Sequence, residues 1–211
     1  VVFGTPVAVL VAYVLARRRF LGRPALDAFV HLPLVLPPVV TGWLLLIVFG
    51  VRGPAGALLQ EWFGIRLVFS TAGAALATAV MSFPLIVRAV RLSFEALDSG
   101  LEEAARTLGA GPVDRFVTVT LPLIAPGILA GMITAFAAGL GEFGAVITFA
   151  SNIPGQTQTL PLAIYSAIQV PGGEATAAKL AAVSFTLAVA GLLLAEVAGR
   201  RLSLFLGRTV P

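Results

Sequence analysis

Four charged side chains fall within the sixteen residues LDSGLEEAARTLGAGP at 97–112: Asp98, Glu102, Glu103 and Arg106. In a chain that is 58% apolar and only 11% charged, such density asks for a chemical reason. Paired carboxylates can do acid–base work, but Glu102 and Glu103 are neighbours on one short helical stretch, which is not a spacing that flanks a scissile bond. His31 is the only histidine and there is no cysteine, so a metal site would need an all-carboxylate cluster, and the sequence offers none. No catalytic residue and no metal ligand are therefore assigned. Glu142, in LGEFGA, is an ionisable group in an apolar stretch. An acidic side chain at a span's centre costs about 2.5–3.5 kcal/mol on insertion scales, so it must be paired or wetted. Lys179 is one expected partner. Thr41, Ser82, Thr148, Ser151 and Asn152 are neutral hydrogen-bonding groups in or near apolar stretches. They suit either weak contacts along a solute pathway or ordinary helix packing and back-bonding.

The elements that position these groups follow from composition. Mean hydropathy is +1.00 over 211 residues. The charged fraction is less than half the roughly 25% of a soluble domain. This is an all-α, polytopic transmembrane bundle. Five spans are expected, at about 1–16, 32–50, 72–93, 123–150 and 176–198, in a single membrane domain over 1–211 with no internal repeat. The opening VVFGTPVAVLVAYVLA runs into Arg17-Arg18-Arg19 without a small-residue cleavage site, so it reads as a membrane helix rather than a signal peptide. The net charge of +4 comes from arginines scattered between spans, which membrane topology requires and nucleic-acid binding does not explain.

Eleven of the fourteen basic residues fall on alternate connections: Arg17, Arg18, Arg19 and Arg23; Arg88, Arg91, Arg106 and Arg115; Arg200, Arg201 and Arg208. Arg52, Arg66 and Lys179 fall on the other side. By the positive-inside rule the loop 94–122 and the C-terminus are cytoplasmic. Arg88 and Arg91 read as snorkelling anchors, or as an attractive field for an anion leaving inward. Prolines crowd the span starts (Pro33, Pro37, Pro38, Pro122, Pro126), and Pro84 sits within a span. They mark either helix ends or kinks along a pathway.

Within 97–112 every local signal points to a helix of about nine residues. Ser99 and Glu102 form S-x-x-E, a capping box. Leu101, Ala104, Ala105 and Leu108 make an apolar stripe, and Glu102 and Arg106 an i,i+4 pair. Gly109 suits the left-handed position past the end, and Gly111-Pro112 stops continuation. So short a helix is marginal alone. It must pack on the rest of the chain or on a soluble partner.

Glu103-Ala104-Ala105, Gly109 and then Val119-Thr120-Leu121-Pro122 reproduce the E-A-A-x-x-x-G…I-x-L-P loop signature of ABC importer permeases, with valine in place of isoleucine. HLPLVLPPVVTGWLLL, SFPLIVRAVRLSFEALD, LGEFGAVITFASNIPGQTQTLP and VPGGEA extend the likeness over most of the chain, which resembles the molybdate (ModB-type) permease family, related to sulfate, thiosulfate and tungstate permeases. Such permeases usually carry another N-terminal helix, so the resemblance implies either a start clipped from six spans to five or a natural five-span form.

The resemblance also implies a type I ABC importer permease fold and an inward molybdate pathway in a bacterial or archaeal plasma membrane, with two copies of the chain forming the pore. Two cytoplasmic ABC ATPase subunits would hold ATP and magnesium, leaving no cofactor in this chain, and a periplasmic molybdate-binding protein would deliver the anion. The coupling helix would be 100–109, with Leu101, Glu102, Glu103, Ala104, Ala105, Arg106, Leu108 and Gly109 meeting the ATPase. Thr41, Ser82, Glu142, Thr148, Ser151 and Asn152 would be pathway or gate residues. Glu142 is a poor direct ligand for a dianion, because like charges repel, and so is read as a structural pair or gate. No G-x-x-x-x-G-K-S/T occurs in the chain. An integral membrane enzyme would need a nucleophile–base pair or metal cluster that the spans lack. A passive channel would not need a docking loop.

Overall fold

Ser70 starts the helix around which the rest is arranged. Its hydroxyl accepts from the Gly73 N–H at 3.0 Å and donates to the Leu67 carbonyl at 2.7 Å, capping α5 (Thr71–Glu95). At 1.5 Å per residue, 25 residues run about 37 Å, enough to cross a bilayer. The computed structural model describes residues 1–205; Arg208 lies outside them, and the side chains of Ser99, Arg200 and Arg201 are not described.

In chain order the elements before α5 are α1 (Thr5–Arg17), α2 (Arg23–Val35), α3 (Pro38–Phe49) and α4 (Pro54–Phe63). After it come α6 (Ser99–Thr107), α7 (Pro112–Arg115), a π turn (Phe116–Thr120), α8 (Leu121–Leu140), α9 (Gly144–Ala150), α10 (Leu160–Ile168) and α11 (Glu174–Phe205).

Two apolar cores are strung along α5. In the first, Ala8, Ala12 and Leu15 of α1 recur at i, i+4 and i+7 and bury one face against Ile86, Val87, Val90 and Phe94 of α5 and Ile124 of α8. In the second, Leu45 of α3 and Ala74 and Ala77 of α5 close over Ala145, Val146 and Phe149 of α9. Small residues set both crossings, since in lipid it is close van der Waals packing that holds helices together. Gly127 and Gly131 of α8 form G-x-x-x-G against α5. A Cβ on Gly131 would stand 3.1 Å from Ala89 Cβ and from Ile86 Cα, and one on Gly127 would collide with the Ser93 side chain. On α3, a Cβ at Gly42 would meet the Ala145 carbonyl oxygen at 2.7 Å.

The expected five spans are modified in two places. The 32–50 span is instead the pair α2 and α3, bent by 119° at Leu36–Pro37. Two consecutive prolines hold the residues before them extended (Leu36 ψ 144°, Pro37 ψ 135°), which a continuous helix does not allow. The 123–150 span stops at Leu140 and resumes as α9 after Gly141–Phe143. Among the described residues three helical stretches are long and apolar enough to cross a membrane (Thr71–Glu95, Pro112–Leu140, Glu174–Leu194), four with the bent pair, and α1 is a shorter apolar helix of 13 residues. The outer flank of α11 exposes Phe185, Leu192, Leu193 and Leu194, as a lipid-facing surface would.

Candidate functional site

Helix α6 spans nine residues, as its local signals predict, but its start differs from the expected capping box. Asp98 is the N-cap, and its Oδ1 accepts from the Gly100 N–H at 2.8 Å. Glu102 does not reach back to the helix start. Its Oε1 accepts from the Thr120 hydroxyl at 2.8 Å and lies 3.4 Å from Arg17 Nη2. A hydroxyl donor and a cation at ion-pair distance draw the carboxylate away from the helix start, and Asp98 caps in its place. The expected Glu102–Arg106 pair is likewise replaced. Arg106 Nη2 donates to Glu103 Oε1 at 2.9 Å, an i,i+3 pair on the exposed side.

The far end closes as a Schellman motif. The Gly109 N–H donates to the Arg106 carbonyl at 3.0 Å and the Ala110 N–H to the Ala105 carbonyl at 3.1 Å, with Gly109 at φ +89°. Among the described residues, α6 touches the rest of the chain mainly at the π turn and α7. Leu101 is 48% exposed and Leu108 88%, with Ala104 also open and Ala105 half-buried. The helix therefore points one face, through Glu102, at Arg17 and Thr120, and turns an apolar stripe flanked by the Glu103–Arg106 pair outward. The π turn beneath it is a type of irregularity that recurs at functional positions. It joins α6 to α8 directly.

Arg91 lies at this same end of α5. Its Nη1 is 2.9 Å from both Asp27 oxygens and its Nε 2.8 Å from Glu95 Oε1. Instead of a free anchor or field source, Arg91 is the centre of a neutralised cluster tying α2 to α5. His31 joins it through Asp27. Arg88 is exposed nearby.

The other end is built differently. Glu142 is buried, and its Oε1 accepts from the Ala145 N–H at 2.8 Å, satisfying the open first turn of α9. Among the described residues no cation forms an ion pair with it, and Lys179 is exposed on α11. The expected Glu142–Lys179 pair is not formed, because a helix start supplies the N–H donors and partial positive charge that a lysine would. Thr148 donates to the Gly144 carbonyl and Ser82 to that of Thr78, both at 2.8 Å, the back-bonding that mid-helix hydroxyls adopt. Thr41 is buried with its hydroxyl unpaired among the described residues, and it adjoins Gly42, at the α3 contact with Thr148. Ser151 holds φ +65°, ψ −168°, a strained backbone for a residue with a side chain. Its carbonyl accepts from the buried Thr157 hydroxyl at 3.1 Å, and Thr157 in turn accepts from the Ile153 N–H. Asn152 donates to Ser166 at 2.7 Å and accepts from Gln158 at 3.0 Å. Glu142, Thr148, Ser151 and Asn152 are thus gathered along α9 and its two ends, with Thr41 alongside on α3. Ser82 is apart, on α5.

Sequence reasoning missed Arg17, Thr120, Asp27 and Thr157 as organisers. Arg17 and Glu102 are 85 positions apart, and no local pattern joins them.

A helical membrane bundle with an outward-facing helix on one of its loops is the architecture of a transport permease. Residues 4–204 match the family described as binding-protein-dependent transport system inner membrane component, and the chain belongs to that family. It is a transport component and not an enzyme. Among curated proteins it is 56% identical over 196 residues to the molybdenum transport system permease protein ModB of Escherichia coli K12, covering 93% of this chain and 86% of that one. It is 51% identical over 206 residues to ModB of Haemophilus influenzae, covering 98% and 90%. A sulfate transport system permease protein, CysT of Salmonella typhimurium, is 39% identical over 88% of this chain and 68% of its own length. Among solved structures, a bacterial ABC transporter involved in the import of the acidic polysaccharide alginate superposes with a TM-score of 0.69 at 20% identity, over 95% of this chain and 73% of that one. That likeness bears on the fold.

Proposed function

We propose that this chain is the membrane-spanning permease of an ABC importer that moves molybdate inward, with ATP and magnesium held by two separate ATPase subunits. The chain acts as one domain over 1–211, with 94–122 as its coupling loop. A second copy completes the pore, and a periplasmic binding protein delivers the anion. The side bearing α6 and the C-terminus is cytoplasmic, supported by the asymmetry of arginines between alternate connections.

The observation that carries the reading is the free outer face of α6: Leu101, Ala104 and Leu108 open to solvent beside Glu103 and Arg106, on a helix capped at both ends. A short, exposed, apolar-striped helix is unstable economy for a chain alone and sensible for one that docks. When ATP draws the ATPase pair together, α6 moves with it. Glu102 passes that movement to Arg17 of α1, and Thr120 passes it to α8, biasing the bundle between two arrangements. At the other end, Thr41, whose hydroxyl is unpaired among the described residues, and the neutral groups at the ends of α9 give a dianion contacts weak enough to release. Glu142 organises the break and turns its carboxyl group to the α9 backbone.

The test is reconstitution with the partner ATPase and binding protein, followed by uptake of labelled molybdate with tungstate and sulfate as competitors. ATP-dependent molybdate uptake, competed by tungstate and little by sulfate, is the expected result. Sulfate uptake in preference to molybdate would move the assignment to the sulfate permeases, to which the 39% identical relative belongs by name.

A further inference from the structure

Two arginine clusters lie at the α6 end of the bundle, and their charge balance differs. Around Arg91, two carboxylates take up the guanidinium. Behind α6, a cavity of about 380 Å³ is lined by Tyr13, Arg17, Arg18, Glu102, Arg115 and Thr120, so three cations face one carboxylate. Three guanidinium nitrogens here, Arg17 Nε, Arg17 Nη2 and Arg115 Nε, are buried without a hydrogen-bond partner among the described residues. Glu102 does not relieve them. It is within ion-pair range of Arg17 Nη2 at 3.4 Å without hydrogen-bond geometry, and its Oε1 is already taken by Thr120.

A buried donor on a charged group, left without an acceptor, is destabilising. These donors belong to two of the three cations that line the cavity, and three cations against one carboxylate call for an acceptor that carries charge. Water can fill a donor's need but leaves the excess positive charge in place. A planar carboxylate presents its acceptors in one plane, whereas a tetrahedral oxyanion presents acceptors in several directions and suits forked guanidinium donors from two sides. We propose that this cavity binds a tetrahedral oxyanion of the phosphate type between Arg17, Arg18 and Arg115, on the inner side of α6.

The site is distinct from the outer face of α6 and from the neutral groups along α9, and it shares Arg17, Glu102 and Thr120 with the relay of the proposed function. Its walls come from α1, α6, α7 and the π turn, so an anion seated there ties α6 to the three pieces through which it is connected to the bundle. It also competes with Glu102 for Arg17, which makes occupancy a control on how firmly α6 is held. Two sources can supply this chemistry. One is the headgroup of an anionic phospholipid, since Arg17 and Arg18, which line the cavity, belong to the Arg17–Arg19 run at the end of α1. The other is a dissolved oxyanion, inorganic phosphate or molybdate.

The test measures binding to the assembled importer in nanodiscs, where both faces are accessible and transport plays no part, so its failure leaves the permease reading intact. One arm uses phosphatidylcholine discs with and without phosphatidylglycerol and counts retained phosphatidylglycerol by native mass spectrometry. The other uses labelled inorganic phosphate and labelled molybdate in equilibrium dialysis. Arg115→Gln is expected to weaken binding at least about tenfold, the loss of one charge-assisted contact, and Arg115→Lys to restore much of it. Arg19→Gln removes equal charge from the same end outside the cavity and leaves binding near wild type. Loss in the lipid arm identifies a headgroup; loss only in the dissolved arm identifies a free oxyanion. If Arg115→Gln does not assemble, Arg18→Gln takes its place. Binding in neither arm, equal weakening by Arg19→Gln, or loss of the ATPase subunits in place of the anion overturns the proposal.

Discussion

The two ends of α5 are held by different chemistry. At the α6 end, ion pairs do the joining: Arg17 with Glu102, and Arg91 with Asp27. At the α9 end the long-range contacts are neutral. Thr71 donates to the Gln156 carbonyl, Asn152 to Ser166 and Gln158 to Asn152, and the buried carboxylate of Glu142 is turned onto a backbone N–H. Charge suits an end that must be pulled by a soluble partner, because ion pairs are directional and firm when half-buried. Neutral hydrogen bonds suit an end past which an anion travels, because a fixed charge there would either trap the dianion or repel it. The two ends share one helix and one G-x-x-x-G crossing, so movement at one reaches the other through packed backbone.

That shared crossing gives the largest expected effect. Gly127→Leu drives a side chain into Ser93 of α5. Overpacking of this kind costs about 1–3 kcal/mol and can cost more. The expected outcome is loss of monodisperse permease from detergent, with both ends affected together. An intact, normally melting variant would show that the ends do not depend on this contact.

Next comes Glu142. Glu142→Ala leaves the Ala145 N–H unpaired in a buried place and is expected to cost about 1–3 kcal/mol, measured by thermal unfolding. Glu142→Gln keeps an acceptor and is expected to retain most of the stability and uptake. If the glutamine variant is as damaged as the alanine one, the α9 end needs a charge and the contrast between the ends fails.

Gly109→Val probes the other end. No atom lies within 4 Å of the added Cβ, so the cost is in the backbone at φ +89°, about 1–2 kcal/mol. ATP-driven uptake is expected to fall while the α5–α8 core stays folded. Unchanged uptake from an assembled variant would remove this turn from coupling. The smallest effect is expected for Arg106→Ala, which breaks an exposed pair worth at most about 1 kcal/mol to stability. A much larger drop in melting temperature would mean that this face is buried.

Much of this was legible in the sequence. The length and stop signals of α6, the left-handed Gly109, the apolar composition and the loop signature all depend on residues close together in the chain. The misreadings came from groups with competing partners. Asp98 and Ser99 are both good caps, and the choice between them turned on Arg17, far away in sequence, which claimed Glu102. Lys179 is an expected partner of Glu142 only while the α9 start is out of view, and that start is not visible until the break at Gly141–Phe143 is known. The bend between α2 and α3 was signalled by Pro37 and Pro38 but could not be told from ordinary helix-start prolines. The cavity behind α6 is assembled from positions 13 to 120, and no spacing rule connects them.

The most direct test of the central claim uses the absence of native cysteine. Leu108→Cys places a single thiol on the outward face of α6, and Gln169→Cys places one at an exposed position beyond α10 as a control. Maleimide labelling rates are then compared for the permease alone and with its ATPase partner. The account predicts that Cys at 108 labels rapidly alone and is protected in the complex, while Cys at 169 labels equally in both. A complex that forms and leaves position 108 as reactive as before would contradict it.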